Sequence, residues 1–338
     1  MERTTREQSE DSRINRIDRR HVIQALGFGA TAALAASAVP KVASAFASRA
    51  LPATMARSNK DLKAVGWDHL SFDVMDVAKS RDWYVDLFGM KVTWDDGTPN
   101  KPPTNSELDF GAPLLLDSLY VRKTKPGQNT MVDHLAWKIE HFTKSGSEAE
   151  MKEIGLNPTD DGPLGWSVKD PDGYTAQIIA KTGGWPGGAV KDAKIEEGQH
   201  YLDTIPKPSG KSFKSIGAVV YLYVTDIAKS RDFYSNLFWL KEIYYKAEEP
   251  DSECFLRFGQ NDGLCLRKSQ RGDNKAYVDH FAIVIADYKK DAVGAELKRR
   301  GLDPQPDGNV GWRIRDLENF PISVGGTGLL SGKAAAGA

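Results

Sequence analysis

With 338 residues, 40% hydrophobic and 27% charged, the chain has the length for two domains and the composition of a globular protein. A formal net charge of -1 lacks the basic excess of a nucleic-acid-binding surface. Past the amino-terminal region no apolar run reaches the roughly 18–20 residues that a membrane span needs, and Cys254 and Cys265 are too few for a disulfide framework.

Residues 1–47 read as a signal peptide of the twin-arginine type. A polar leader ends in Arg19-Arg20. A mild apolar run follows from Val22 to Val39, and then small residues suited to cleavage at Ala43-Ser44-Ala45 or Ala45-Phe46-Ala47. The expectation is a periplasmic or extracellular protein with no stable membrane insertion after cleavage. The other reading of this segment is a disordered tail with one Ala-rich helix. Residues 48–64 form a tether.

The segment Ala78-Lys79-Ser80-Arg81-Asp82-Trp83-Tyr84-Val85-Asp86-Leu87-Phe88 returns at Ala228 to Phe238 with eight of eleven positions identical. Val132-Asp133-His134 returns as Val278-Asp279-His280, and Gly165-Trp166 as Gly311-Trp312. The chain is therefore duplicated. The first domain spans 65–181, a Gly/Pro-rich linker 182–215, the second domain 216–325, and a Gly/Ala-rich tail, expected to be disordered, 326–338.

Within the first domain, His69 to Val74 alternates polar and apolar residues, which predicts a strand packed on one face. Asp76 caps a helix over Val77 to Phe88 that Gly89 ends. Strands follow at 91–94, 107–110 and 119–124. The pattern restarts at His134, with a helix over about 147–154 and strands at 165–169 and 174–180. The second domain repeats this order, with helices capped by Asp226 and Asp287. Cys254 and Cys265 flank its hairpin turn at Gly259 to Gly263 and read as one bridge or as two free, half-buried thiols.

These residues resemble the vicinal oxygen chelate superfamily of glyoxalases, bleomycin-resistance proteins and extradiol dioxygenases. The likeness is carried by His69, Asp76, Ser80, Trp83-Tyr84, Phe88-Gly89, Val132-Asp133-His134 and Asp170-Pro171-Asp172-Gly173, and by their counterparts in the second domain. It implies an α+β fold of four βαβββ modules, paired into two tandem cupped-sheet, glyoxalase-like domains. It also implies ligands for one divalent metal ion (Fe, Mn or Zn) at His69, His134 and Gln177. Alternation agrees, because these residues and Tyr120, Arg122 and Lys138 share the strand face opposite Leu70, Phe72, Leu135, Trp137 and Ile178.

Relatives that bind metal carry Glu where this chain has Gln177, and an amide brings no negative charge to the ion. Arg122 and Lys138 read either as solvated rim charges or, with Tyr120, as groups that hold substrate oxygens. In the second domain the corresponding positions are Val219, His280 and Ser323, which cannot hold an ion, so that cup is a metal-free pocket or a structural half. Two functions follow. One is a metal-assisted dioxygenase, lyase or isomerase acting on a small substrate with vicinal oxygens through the first domain. The other is a metal-free protein that only binds a small molecule. No phosphate-binding glycine loop, nucleophile elbow, CxxC or HExxH motif competes.

Overall fold

The computed structural model describes residues 55–112, 115–162, 165–180, 203–248, 252–273 and 275–331. The signal peptide, the start of the tether, most of the linker and the last residues of the tail lie outside the described residues.

The first domain runs β1 (Ala64–Val74), α1 (Val77–Phe88), β2 (Lys91–Asp95), β3 (Asn105–Ala112), β4 (Leu115–Lys123), β5 (Met131–Ile139), α2 (Lys144–Glu153), β6 (Thr159–Asp160), β7 (Gly165–Lys169) and β8 (Thr175–Ala180). The second repeats it as β9 (Ser215–Val224), α3 (Ile227–Phe238), β10 (Lys241–Lys246), β11 (Glu253–Phe258), β12 (Asp262–Lys268), β13 (Tyr277–Ile285), α4 (Lys290–Arg299), β14 (Gln305–Asp307), β15 (Gly311–Arg315) and β16 (Pro321–Gly325). These are four βαβββ modules. Modules adjacent in sequence pair through their first strands into eight-stranded sheets, in the orders β2-β3-β4-β1-β5-β8-β7-β6 and β10-β11-β12-β9-β13-β16-β15-β14. The expected α+β fold of two tandem cupped sheets is the observed one.

The long helices begin and end as their sequences dictate. Asp76 accepts from the Lys79 amide, and Gly89, at φ 64°, closes α1. Asp226 accepts from the Lys229 amide at the start of α3, but the left-handed residue at its end is Trp239, at φ 59°. A non-glycine residue there costs about 1–2 kcal/mol. Offsetting contacts surround it: the indole Nε1 donates to the Ser58 carbonyl (3.0 Å), and the Arg57 guanidinium lies 3.7 Å from the ring centre. Ser58 Oγ in turn donates to the Leu237 carbonyl (2.7 Å), and Met55 and Leu62 are buried. The end of the expected tether is thus packed against α3. Asp287 does not cap α4. It sits at φ 52°, and Lys289 is the cap residue, without a side-chain bond.

Alternation places one face of each sheet against helices, and the two domains share that layer. Trp137 of β5 stacks on Phe238 of α3, with ring centres 4.4 Å apart, and Phe72 of β1 meets Phe281 of β13 edge-on at 5.6 Å. A single apolar cluster runs through both domains. Two equivalent buried bonds cross it: Tyr84 Oη donates to Asp316 (3.0 Å) and Tyr234 Oη to Asp170 (2.9 Å). Both carboxyls also accept backbone amides at the turns before the last strands. Burial raises each of them to about 6.

A second interface pair is Asp117 of β4 and Asp262 of β12, both fully enclosed and hydrogen-bonded to each other. Burial raises both carboxyls, and the charge of Lys138 partly offsets this. Gly259, at φ 54°, makes room for the pair, since a Cβ there would lie 2.7 Å from Asp262 Oδ2. Cys254 and Cys265 are both buried. Cys254 pairs with Leu266 and Cys265 with Phe255, so the two thiols point to opposite faces of the sheet and form no bridge. They are fully rather than half buried.

A carboxyl held above its unfolded value of about 4 stabilises the fold fully only below that pH, and this contribution is lost as pH rises through the folded pKa. Folding stability should therefore decline between about pH 4 and pH 7 by on the order of 1–2 kcal/mol more in the wild type than in Asp262→Asn. Urea unfolding of both proteins across that range checks this, and equal slopes would show that the carboxyl pair holds no extra proton.

Candidate metal centre

The first cup takes its central side chains from β1 and β5, and two β-bulges aim them. Trp67 pairs with Trp137 but His69 with Ala136, so Asp68 is an extra residue in β1. Ser71 pairs with His134 but Phe72 with Val132, so Asp133 is an extra residue in β5. Each bulge sets an aspartate beside the histidine that follows it. His69 Nδ1 lies 2.9 Å from Asp68 Oδ1, and His134 Nδ1 lies 2.8 Å from Asp133 Oδ2.

Each of those carboxylates favours the tautomer with the ring proton on Nδ1, which turns Nε2 toward the cup as the ligating nitrogen. The two Nε2 atoms are 3.1 Å apart. At that separation the two atoms either share one proton or hold a metal cation between them. With metal–nitrogen bonds of about 2.1 Å, this spacing subtends about 95° at an ion, close to the angle between neighbouring ligands in an octahedron. Burial lowers the His134 pKa to about 4, so the ring is neutral at pH 7. Asp133 is held well below the ordinary carboxyl range, chiefly by its bond with His134. Both imidazoles remain open to the cup, with side chains 13% and 15% exposed.

Gln177 on β8 pairs with Ala136, which pairs with His69, so the three share one row across the sheet. The small Ala136 leaves space between the two longer side chains. Gln177 is buried. Its Nε2 donates to Asp161 Oδ2 (3.2 Å), while Oε1 is buried with no hydrogen-bond partner among the described residues. An orphaned amide oxygen in the row of His69 suits a cation. Among the described residues no three His, Cys, Asp or Glu side chains gather as a metal site, so an ion in this cup would have two imidazoles and this amide as its side-chain donors.

The residues expected to hold substrate divide. The Tyr120 ring meets His69 edge-on at 5.6 Å, and with Trp94 it walls the cup. Arg122 bonds Asp73 (2.8 Å) and Asp133 (3.1 Å), so it is engaged by carboxylates and steadies the acid that orients His134. The charge of Lys138 bears on the interface pair Asp117 and Asp262. Sequence reading missed Asp68, Asp133 and Asp161 as members of the site. The signal available for the first two was an Asp directly before each histidine.

In the second cup the Asp68-His69 pair is replaced by Ala218-Val219, and β9 has no bulge there. His280 keeps its aspartate (Nδ1 to Asp279 Oδ2, 2.7 Å), but its side chain is 0% exposed and its ring stacks on Tyr221 at 4.0 Å. The cup is filled. Residues 327–331, expected to be disordered, form a 3-10 turn that buries Leu329 and Leu330 against Val219, Tyr221, Phe255 and Val284. The leucine pair supplies the apolar surface that holds this part of the tail in place.

The sequence model of the Glyoxalase/Bleomycin resistance protein/Dioxygenase superfamily matches residues 66–178, which is the first domain. No curated protein matches the chain. The fold is similar to that of the 2,3-dioxygenase LapB from Pseudomonas sp. KL28, at 13% identity and TM-score 0.55, over 78% of this chain and 93% of that one. It is similar also to homoprotocatechuate 2,3-dioxygenase from Arthrobacter globiformis, at 15% identity and TM-score 0.56, over 82% and 83%. A third similar structure is the Mn(II)-bound glyoxalase from Novosphingobium aromaticivorans, at 13% identity and TM-score 0.54, over 78% and 83%. At such identities the likeness is one of fold, and it extends over both domains.

Leu329 fills the second cup as a core residue. Leu329→Ala should lower the unfolding free energy by about 2–5 kcal/mol. Chemical denaturation checks this, and a change under about 0.5 kcal/mol, typical of a surface site, would mean that the turn does not close the cup.

Proposed function

We propose that the first cup holds one divalent metal ion, Fe, Mn or Zn, through Nε2 of His69, Nε2 of His134 and Oε1 of Gln177. On this reading the protein is a metal-assisted enzyme for a small substrate with vicinal oxygens, a dioxygenase, lyase or isomerase of the vicinal oxygen chelate type. The observation that carries the proposal is the pair of Nε2 atoms 3.1 Å apart, each on a ring whose Nδ1 is held by an aspartate on the far side. The family match of the first domain supports it, as does the likeness in fold to two 2,3-dioxygenases and to a glyoxalase with bound Mn(II).

A bound ion would supply Lewis acidity to neighbouring substrate oxygens. The chain's own residues do the rest. Asp68 and Asp133 keep both imidazoles in the ligating tautomer and orientation. Arg122 holds Asp133 in place against Asp73. Tyr120 and Trp94 form an aromatic wall beside His69 that would position the apolar body of a substrate. The second domain covers the helix layer of the first and keeps its own cup closed. Residues 1–47 would send the protein out of the cytoplasm. The support for that is Arg19-Arg20, the weak apolar run and the small residues at 43–47.

Calorimetry with Mn(II) or Zn(II) tests the reading. One ion should bind per chain, and His69→Ala and His134→Ala should each abolish binding. Asp133→Asn should weaken binding about 10–100-fold, and His280→Ala should leave it unchanged. If no divalent ion binds, the metal-free binding reading takes its place. A second ion lost with His280 would contradict the assignment to the first cup.

A further inference from the structure

Asp161 follows β6 and, in sequence, is remote from both histidines. The duplication nonetheless keeps it. Asp161 stands four residues before Gly165-Trp166, and Asp307 stands four residues before Gly311-Trp312. Each aspartate reaches the same point of its cup. Asp161 accepts from Gln177 Nε2 and from Ser167 Oγ, while Asp307 accepts from Ser323 Oγ, at the position equivalent to Gln177.

The cups differ in what balances this carboxylate. In the second, Arg313 stands where the first has Ser167, and its guanidinium lies 3.1 Å from Asp307. That cup therefore carries a built-in cation. In the first, the lysine whose charge bears on Asp161 is Lys144, which is bonded to Asp160 and to the carbonyls of Gly162 and Gly165.

Gln177 makes the consequence specific. A carboxylate only accepts, so it can bind only the NH₂ end of the amide. Asp161 thereby fixes which end of Gln177 is which and leaves Oε1 as the buried atom lacking a donor. We infer that Asp161 is a positioning residue: it aims Gln177 Oε1 at the cation and supplies, one shell out, the negative charge that an amide ligand lacks. This rests on the reading of the first cup as a metal site. It also explains how glutamine can stand at that position. A glutamate there would set a second carboxylate against Asp161, and the repulsion would offset the gain of a charged ligand.

The test is a charge swap in the full-length protein. Mn(II) affinity is measured by calorimetry, and the visible absorption of bound Co(II) reports the ligand set. Asp161→Asn should weaken Mn(II) binding about 10–100-fold and shift the Co(II) bands. Gln177→Glu alone should tighten binding by less than about tenfold. In the Asp161→Asn background the same change should tighten it by more than about tenfold and restore affinity to at least that of the wild type, a coupling of the kind double-mutant cycles isolate. The inference is overturned if Asp161→Asn binds Mn(II) as the wild type does with an unchanged Co(II) spectrum, or if Gln177→Glu has the same effect in both backgrounds. A wild type that binds no ion overturns the metal reading along with it.

Discussion

The apolar layer between the two sheets is the constraint from which the rest of the molecule follows. Neither sheet can leave its alternating apolar face in water, and the helices of one domain alone do not cover it. Trp137 is closed by Phe238 of the other domain, and Phe72 by Phe281. Tyr84 and Tyr234 then each need a partner for a buried hydroxyl, and each finds the turn aspartate of the opposite domain. This arrangement commits the apolar face of every central strand to the interface. The polar face of each sheet is left to form a cup, and the cups are free to diverge because the shared layer does not depend on them.

Their divergence can be followed residue by residue. One bulge, at Asp133 and again at Asp279, survives in both copies and gives each cup an aspartate-bound histidine. The other, at Asp68, exists only in the first domain, and with it goes the second histidine. Where His69 stands in one copy, Val219 stands in the other and packs on Leu329 and Leu330. Where the second cup lacks the polar pair, apolar side chains fill the space, as expected where a buried polar group would have no partner. Arg313 against Asp307 is a further difference, since the second cup supplies the counter-charge to its aspartate from its own chain.

Much of this was legible in the sequence because it rests on periodicity. The internal repeat, the strand alternation, the Asp76 and Asp226 caps and the common face of His69, His134 and Gln177 all follow from residue spacing. What spacing could not reveal depends on breaks in spacing or on contacts across turns. The bulge at Asp68 puts Trp67 and His69 on opposite faces although they are two residues apart. Asp161 meets Gln177 only because β7 folds back between them. The carboxylates around Arg122 come from β1 and β5, so its charge looked available when it is engaged. Leu329 and Leu330 sit in a Gly-rich stretch that composition marks as a tail, and it is the emptied second cup that gives them somewhere to bury.

The central claim is that one cation belongs between His69 and His134 and none belongs beside His280. The most direct measurement is an anomalous-difference map from crystals of the full-length protein grown with Mn(II) or Zn(II). The account predicts a single peak per chain, within about 2.0–2.3 Å of Nε2 of His69, Nε2 of His134 and Oε1 of Gln177. A map with no peak at the two imidazoles, or with its peak in the second cup, would contradict it.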